Sequence, residues 1–265
     1  MKRRSCKYLL TAALLCAALT LPAKAARRRV PVQADAIPVS AAAYVEQGVT
    51  YVPLRALLNA LGSWQVWWDG EAGQAAAISG NVSLRADPAG NVIRVNGIAL
   101  SGRVTVESGV TYVPLRLVCE ALGCKVEWDP YLGGAAVTSP GAAYDAVELY
   151  WLSRIIYAES GAESMAGQIA VGNVILNRVE SSRFPNTVEG VIFDRKDAVQ
   201  FEPVSNGQIY KTPSAQSVEA ARRVLNGENV IGSALYFYAP ALSQGVWINA
   251  SCTYQQTIGC HRFYL

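Results

Sequence analysis

The stretch Leu149 to Gly161, LYWLSRIIYAESG, places an acid where an apolar residue is due. Leu149, Leu152, Ile155 and Ile156 recur at helical spacing, and the next position on their face is Glu159. Burying a carboxylate disfavours its ionised form. Ser160-Gly161 reads as a helix end, which sets Glu159 in the last turn, at the lip of whatever this helix packs into. The negative end of the helix dipole adds to the cost of ionisation there. A carboxyl group kept protonated near neutral pH is what a general acid needs. The same position also suits a glutamate that only snorkels or caps, and spacing alone does not separate the two.

The elements around this helix must position the acid. Glu163 to Val179 carries Met165, Ile169, Val174, Ile175, Leu176 and Val179, with Ala166, Ala170 and Gly172 small enough to admit a neighbouring helix. Asn173 and Asn177 lie one helical turn apart, placed either to meet a ligand or to pair with backbone. Ser214 caps a further helix running to Leu225 and closed by Asn226-Gly227. Arg183-Phe-Pro-Asn-Thr187 reads as a turn into Val188–Phe193, and Asp197 to Tyr210 as irregular chain. Leu235–Pro240, Val246–Ile248 and Thr257–Leu265 read as extended segments rich in aromatics.

Charge and cysteines bound the compartment. The chain has 265 residues, room for two modest domains. Lys2, Arg3, Arg4 and Lys7 head an apolar run from Tyr8 to Leu21, and Ala23-Lys24-Ala25 reads as a cleavage site. This is an export signal, too short in its apolar part for a comfortable span. Leu14-Leu15-Cys16 lacks the small residue that a lipoprotein signal wants before its cysteine. Without the five basic residues of this leader, 18 basic groups face 20 acidic ones, so the net charge is −2 and not +3. Nucleic acid is excluded as the implied partner. Arg27-Arg28-Arg29 is the one basic cluster left and reads as a disordered tail. The expected mature protein is a secreted monomer without a membrane span.

Cys119, Cys124, Cys252 and Cys260 survive maturation, and an even number in a secreted chain favours disulfides. Pairing within each half is simplest, and a Cys252–Cys260 bridge would pin the last strand.

Residues 46–69, EQGVTYVPLRALLNALGSWQVWWD, recur at 107–129 as ESGVTYVPLRLVCEALGCKVEWD. Each copy reads as a glycine turn, a strand, a helix opened by Pro53 or Pro114, and a strand ending in Trp-Asp. Residues 30–139 resemble the stalk-type domain named after the N-terminal domain of copper amine oxidases. Trp64, Trp67, Trp68 and Trp128 suit either a sugar-stacking platform or, better, a core. A copper site normally draws on several histidines, and this chain has one, His261. No metal or cofactor is called for.

After a linker at 140–146, the blocks LSRIIYAESGAES, GQIAVGNVILNRV, RFPNTVEGVIF, LNGEN, ALYFYAP and TIGCHRFY follow in order over residues 147–265. They resemble the SleB-type cell wall hydrolases, the spore-cortex-lytic enzymes. The resemblance implies a mainly helical, lysozyme-like catalytic domain behind a small duplicated α+β stalk, an α+β chain overall. It also implies lytic transglycosylation of peptidoglycan, with Glu159 as the catalytic acid. Phe201, Tyr236, Tyr238 and Trp247, with Gln200 and Asn173, are the expected contacts to glycan strands. Ala239 departs from the Asn that the family often carries after its tyrosine pair. Glu202 is an added carboxylate near the expected cleft. Were the enzyme a hydrolase, Glu163, Asp194, Asp197 and Glu202 are the available second carboxylates.

Rival chemistries fare worse. Cys260 and His261 are neighbours, and on a strand they would point to opposite faces, which suits no Cys–His pair. One histidine cannot build the zinc site of an amidase. A wall-binding protein with a degenerate enzyme domain is the remaining alternative; Ala239 favours it and the retained Glu159 opposes it. A chain shortened to begin near Asp145 should keep activity on solubilised strands.

Overall fold

The computed structural model describes residues 26–40, 42–196 and 199–265, so the expected signal at 1–25, like Asp197, lies outside the described residues. The chain is α+β: a sheet-rich first half is followed by a mainly helical second half.

The repeat builds the first half around a local two-fold. The equivalent strands Val49–Pro53 and Val110–Pro114 lie antiparallel at the centre of one sheet, in a register that sets Val52 opposite Val113. Both valines are fully buried. Gln47-Gly48 and Ser108-Gly109 close the hairpin ahead of each strand with positive φ at both residues, the two-residue turn whose twist matches the strands. Pro53 and Pro114 end the strands and open helices α1 (Leu54–Leu61) and α2 (Leu115–Ala121), whose Leu57, Leu58, Val118 and Cys119 fill a shared core. A five-stranded meander from Gln65 to Ser101 follows the first helix. After the second, strands Lys125–Asp129 and Gly134–Thr138 join Val32–Ala34.

Two expectations for this half need correction. The basic cluster is not a loose tail. Arg28–Arg29 pairs with Tyr44–Val45, and Arg27 reaches Glu46 at 3.1 Å and forks onto Glu107 at 2.6 and 2.7 Å, joining equivalent acids of the two repeats. The tryptophans are not mainly core either. Only Trp64 packs against the core, while Trp67, Trp68 and Trp128 stay 44%, 49% and 46% exposed.

In the second half, α3 (Ala146–Ser160) is the central helix. From Leu149 to Ile156 every residue is buried, so the sequence stripe is one side of a helix covered nearly all round. Around it pack α4 (Met165–Glu180), α5 (Val188–Ile192), α6 (Glu202–Ser205), the 3₁₀ turn Gln208–Tyr210 and α7 (Ala215–Leu225). Gly172 is where α3, α4 and α7 meet: a Cβ there would lie 2.8 Å from Ile156 Cδ1 and 3.0 Å from Val224 Cγ2. A three-stranded antiparallel sheet closes the domain, with His261–Tyr264 between Tyr236–Tyr238 and Tyr254–Ile258. Val246–Ile248, expected as extended, instead begins the short helix α8 (Val246–Ser251), opened by Gly245.

The last hairpin excludes the Cys252–Cys260 bridge. Ile258 pairs with His261 at its tip and Tyr254 with Tyr264 at its base, so Cys260 sits at one end and Cys252 beyond the other. Their separation is on the order of 13 Å at a strand's rise per residue, about twice what a disulfide spans. All four described cysteines are unbridged. The Cys119 and Cys124 thiols, however, lie within hydrogen-bonding reach of each other.

Residues 140–145 are irregular and Ala146 opens α3, but the stretch does not form a free linker. Asp129, fully buried, accepts the Tyr131 and Leu132 amides at 2.9 and 3.0 Å on one oxygen and the Trp151 indole N–H at 2.8 Å on the other. Gln33 Nε2 donates to the Ala146 carbonyl at 3.0 Å, and the Ala146 amide donates to Thr138 Oγ1 at 3.0 Å. Tyr131 stacks on Phe193 with centroids 4.3 Å apart. The first half thus covers the start of α3, and a chain cut near Asp145 would uncover Trp151. Asp129→Ala should leave the indole N–H unpaired and destabilise the helical half by about 1–3 kcal/mol. Urea denaturation followed by tryptophan fluorescence would register the loss as a lower midpoint.

Candidate active site

Glu159 lies in the last turn of α3, where the chain leaves the core. Asp145 starts the helix by accepting the Val147 amide at 2.8 Å, and the buried Ser160 returns its hydroxyl to the Ile156 carbonyl at 2.9 Å. Gly161 is needed for space rather than for left-handed backbone, since a Cβ would come within 2.9 Å of the Tyr157 ring. The cleft beyond, about 470 Å³, is lined by Tyr157, Glu159, Gly161, Glu163, Gln208 and Lys211. Burial pushes the Glu159 carboxyl up to about 7, and the charge of Glu202 adds to the rise. No hydrogen bond to its carboxyl group is found among the described residues, so nothing there favours the ionised form.

The other acids are differently employed. Glu163 faces the same cleft but is seated on the hairpin tip, its Oε1 accepting the Cys260 amide at 3.2 Å. Gly259 makes this possible: at φ +58 its missing Cβ would fall 1.9 Å from Glu163 Oε2. His261 Nδ1 is 3.9 Å from the same acid, and burial lowers the pKa of its ring. Cys260 is exposed while His261 is buried, the opposed orientation that strand geometry requires. Asp194 caps a turn by accepting the Lys196 amide at 2.9 Å. Glu202, exposed at the start of α6, is the carboxylate whose charge acts on Glu159.

Beside Glu202 the chain reaches an aromatic group organised by a residue that no spacing or motif singles out. Arg178, on α4, is buried, donates to the Leu235 carbonyl at 2.8 Å, and places its guanidinium 4.9, 5.3 and 5.5 Å from the rings of Phe184, Phe201 and Tyr236. Burial lowers its pKa to about 10, so it stays charged at neutral pH. Gln200 accepts from it at 3.4 Å. Tyr236 meets Trp247 edge to face at 5.4 Å, and Trp247 is 60% exposed. Gln200, Phe201, Tyr236 and Trp247 are therefore brought together. Phe201 is buried and serves as a wall, whereas Trp247 offers an open ring.

Two expected contacts lie elsewhere. Asn173 is buried with both ends engaged, donating to the Glu228 carbonyl at 2.6 Å and accepting the Val230 amide at 2.9 Å. It clamps a loop and, at 2% exposure, is not presented to a sugar. Tyr238 packs over Gly245 and bonds through its hydroxyl to Asn249 at 2.9 Å, which fixes α8 and leaves the ring only partly exposed. Among the described residues no cluster of His, Cys, Asp or Glu is set to hold a metal. No described helix is long and apolar enough to cross a membrane.

A single raised-pKa carboxyl at the mouth of a cleft can act as a general acid near neutral pH. Residues 162–264 match the Cell Wall Hydrolase family, from three residues after Glu159, and residues 32–138 match the copper amine oxidase N-terminal domain. The chain thus carries a cell wall hydrolase domain behind a copper amine oxidase N-terminal domain. It is similar to the spore cortex-lytic enzyme of Bacillus cereus, 41% identical over 105 residues that cover 40% of this chain and 39% of that protein. The spore cortex-lytic enzyme of Oceanobacillus iheyensis is 35% identical over 131 residues, 49% of this chain and 46% of that one. The chain thus spans less than half the length of these curated relatives. Among solved structures, the catalytic domain of the germination-specific lytic transglycosylase SleB from Bacillus anthracis is 38% identical, covering 46% of this chain and 97% of that one, with a TM-score of 0.42.

Because the Glu202 charge contributes to the Glu159 shift, Glu202→Gln should move the alkaline limb of the pH–rate profile to lower pH. The displacement should be smaller than the one burial causes, since burial is the larger effect. Rates measured from pH 5 to 9 on wild type and variant check this.

Proposed function

We propose that this chain degrades peptidoglycan by cleaving the β-1,4 bond between N-acetylmuramic acid and N-acetylglucosamine, through lytic transglycosylation at Glu159. The observation that carries the reading is the Glu159 carboxyl at the lip of the cleft, raised to about 7 by burial. The cell wall hydrolase domain at 162–264 and the similarity to spore cortex-lytic enzymes support it. Protonated Glu159 gives its proton to the glycosidic oxygen, and C1 of the muramoyl residue gains oxocarbenium character as the bond breaks. The carboxylate left behind takes the proton of the same sugar's C6 hydroxyl, whose oxygen attacks C1 and closes a 1,6-anhydro ring. No water is activated, so one carboxyl group suffices. Trp247 and Tyr236 offer faces for sugar stacking, and Gln200 a polar contact.

The relatives' substrate points to spore cortex and a role in germination, with the wall as the place of action. Export by the leader at 1–25, cut near Ala25, delivers a monomer there. A degenerate, non-catalytic wall binder is not favoured, because the acid is retained in a cleft that raises its pKa. Simple hydrolysis is the second reading, favoured by one observation: the charge of Glu202 reaches Glu159, and that carboxylate is exposed enough to activate a water.

Activity should fall as pH rises through about 7, where Glu159 loses the proton it must deliver. Glu159→Gln should bind sacculi yet lose at least about 100-fold in turnover, the scale of a lost general acid. Mass spectrometry of initial wild-type products should show anhydro-muramoyl ends, one water lighter than reducing ends. Reducing ends as the first product would assign hydrolysis, and unimpaired turnover by Glu159→Gln would sink the site.

A further inference from the structure

The first half holds a groove of about 590 Å³ that glycan cleavage does not use. Trp68 and Val66 line its floor, Arg55 at the start of α1 one wall, and the turn Gly109-Val110-Thr111 of the other repeat the opposite wall. The local two-fold makes a second copy from the equivalent residues: Trp128 and Val126, Arg116, and the turn Gly48-Val49-Thr50, around about 270 Å³.

The two copies are employed differently. In the second, Arg116 is tied to the Glu120 carboxylate at 3.3 Å and the Val126 carbonyl at 3.0 Å, and Arg28 lies over the Trp128 ring at 5.8 Å. The neighbouring Asp129 turns its second oxygen to Trp151 of the helical half. In the first copy, Asp69 makes the same turn but gives that oxygen to Arg85 at 3.0 Å. Arg55 is exposed and has no hydrogen-bond or ion-pair partner among the described residues. No acid lines this groove, and Trp67 and Trp68 are nearly half exposed. Duplication has committed one copy to holding the domains together and left the other open.

We propose that the open groove binds the peptidoglycan strand itself, a sugar face stacking on Trp68 and a lactyl or stem-peptide carboxylate meeting Arg55; the choice of ligand rests on the wall polymer being the substrate. An indole face and an unpaired guanidinium on one groove match a polymer that presents apolar C–H faces and carboxylates together. With the cleft at Glu159 on the other domain, the chain grips its substrate at two places, which raises retention on an insoluble polymer.

Binding is measured with the full chain carrying Glu159→Gln, so that the polymer is not digested, by co-sedimentation with purified peptidoglycan sacculi. Adding Trp68→Ala should weaken binding about tenfold, and Arg55→Ala several-fold at low salt with less effect at high salt, as a lost stacking face and a lost exposed ion pair predict. Trp128→Ala should weaken it less than twofold, the order of effect expected away from a ligand. Sacculi whose carboxyl groups have been amidated should bind the parent chain and Arg55→Ala alike. Equal binding by the parent and Trp68→Ala, both folded by circular dichroism, would overturn the proposal. So would a loss confined to self-association in sedimentation velocity, which would make the groove an interface between copies. The cleavage reading is scored separately on wild-type digests: no release alongside Trp68-dependent binding removes that reading and keeps the groove, and release with Trp68-independent binding does the reverse.

Discussion

A helix buried on nearly every side is the constraint on which the rest depends. From Leu149 to Ile156, α3 meets protein on nearly all faces, so two sets of neighbours must be in place before its end can be fixed. The helices α4 and α7 supply one set, at a distance that only Gly172 permits. The first domain supplies the other through Asp129 and Gln33. Glu159 is carried at the far end of the same rod. Its depth in the protein, and hence its affinity for a proton, is set by packing made up to three turns away. The duplicated domain is thus part of what holds the acid in position, besides anything it binds.

The local two-fold explains how a small domain can do both. Val52 and Val113 meet across the central strand pair, and each copy completes its groove with the other copy's turn. Neither copy is a whole unit, so both must be kept for the core to close. Their outward ends are free to diverge. Asp69 and Asp129 keep the same turn-capping bond while their second oxygens meet an arginine in one copy and an indole in the other.

Features that rest on local rules could be read from the chain. The Glu159 position followed from helical spacing, the cap at Ser214 from a hydroxyl before an amphipathic run, and the repeat from direct recurrence. What escaped depends on contacts far apart in sequence. Arg178 is one polar residue on a helix until residues 184, 201 and 236 close over it. Asn173, one turn from Asn177, reads equally as a ligand contact or a backbone partner, and a loop 55 residues on decides it. The Cys252–Cys260 pairing failed on strand register, which cysteine spacing does not encode. The tryptophans were assigned to core because large rings usually are, and here the two-fold left three of them at the surface.

The electrostatics of the second domain turn on keeping its charges apart. Glu159 and Arg178 are both held in surroundings that disfavour their charged forms, and pairing them would relieve both. An arginine beside Glu159 would pull its pKa below the ordinary range and leave no proton to give near neutral pH. The structure gives Arg178 three aromatic rings and a carbonyl instead, and the cleft's own cation, Lys211, donates to Gln208 at 3.2 Å. Among the described residues, the charge that acts on Glu159 is the like charge of Glu202, which works in the same direction as burial. The raised pKa has a consequence for stability. Relative to an unfolded glutamate, the folded state holds this proton more tightly, so its contribution is present at acid pH and is lost as pH climbs through about 7. Above that pH the ionised carboxylate costs about 3 kcal/mol, a sizeable share of a domain's stability. The proposed role gives that cost a use, because a general acid must release its proton near neutrality.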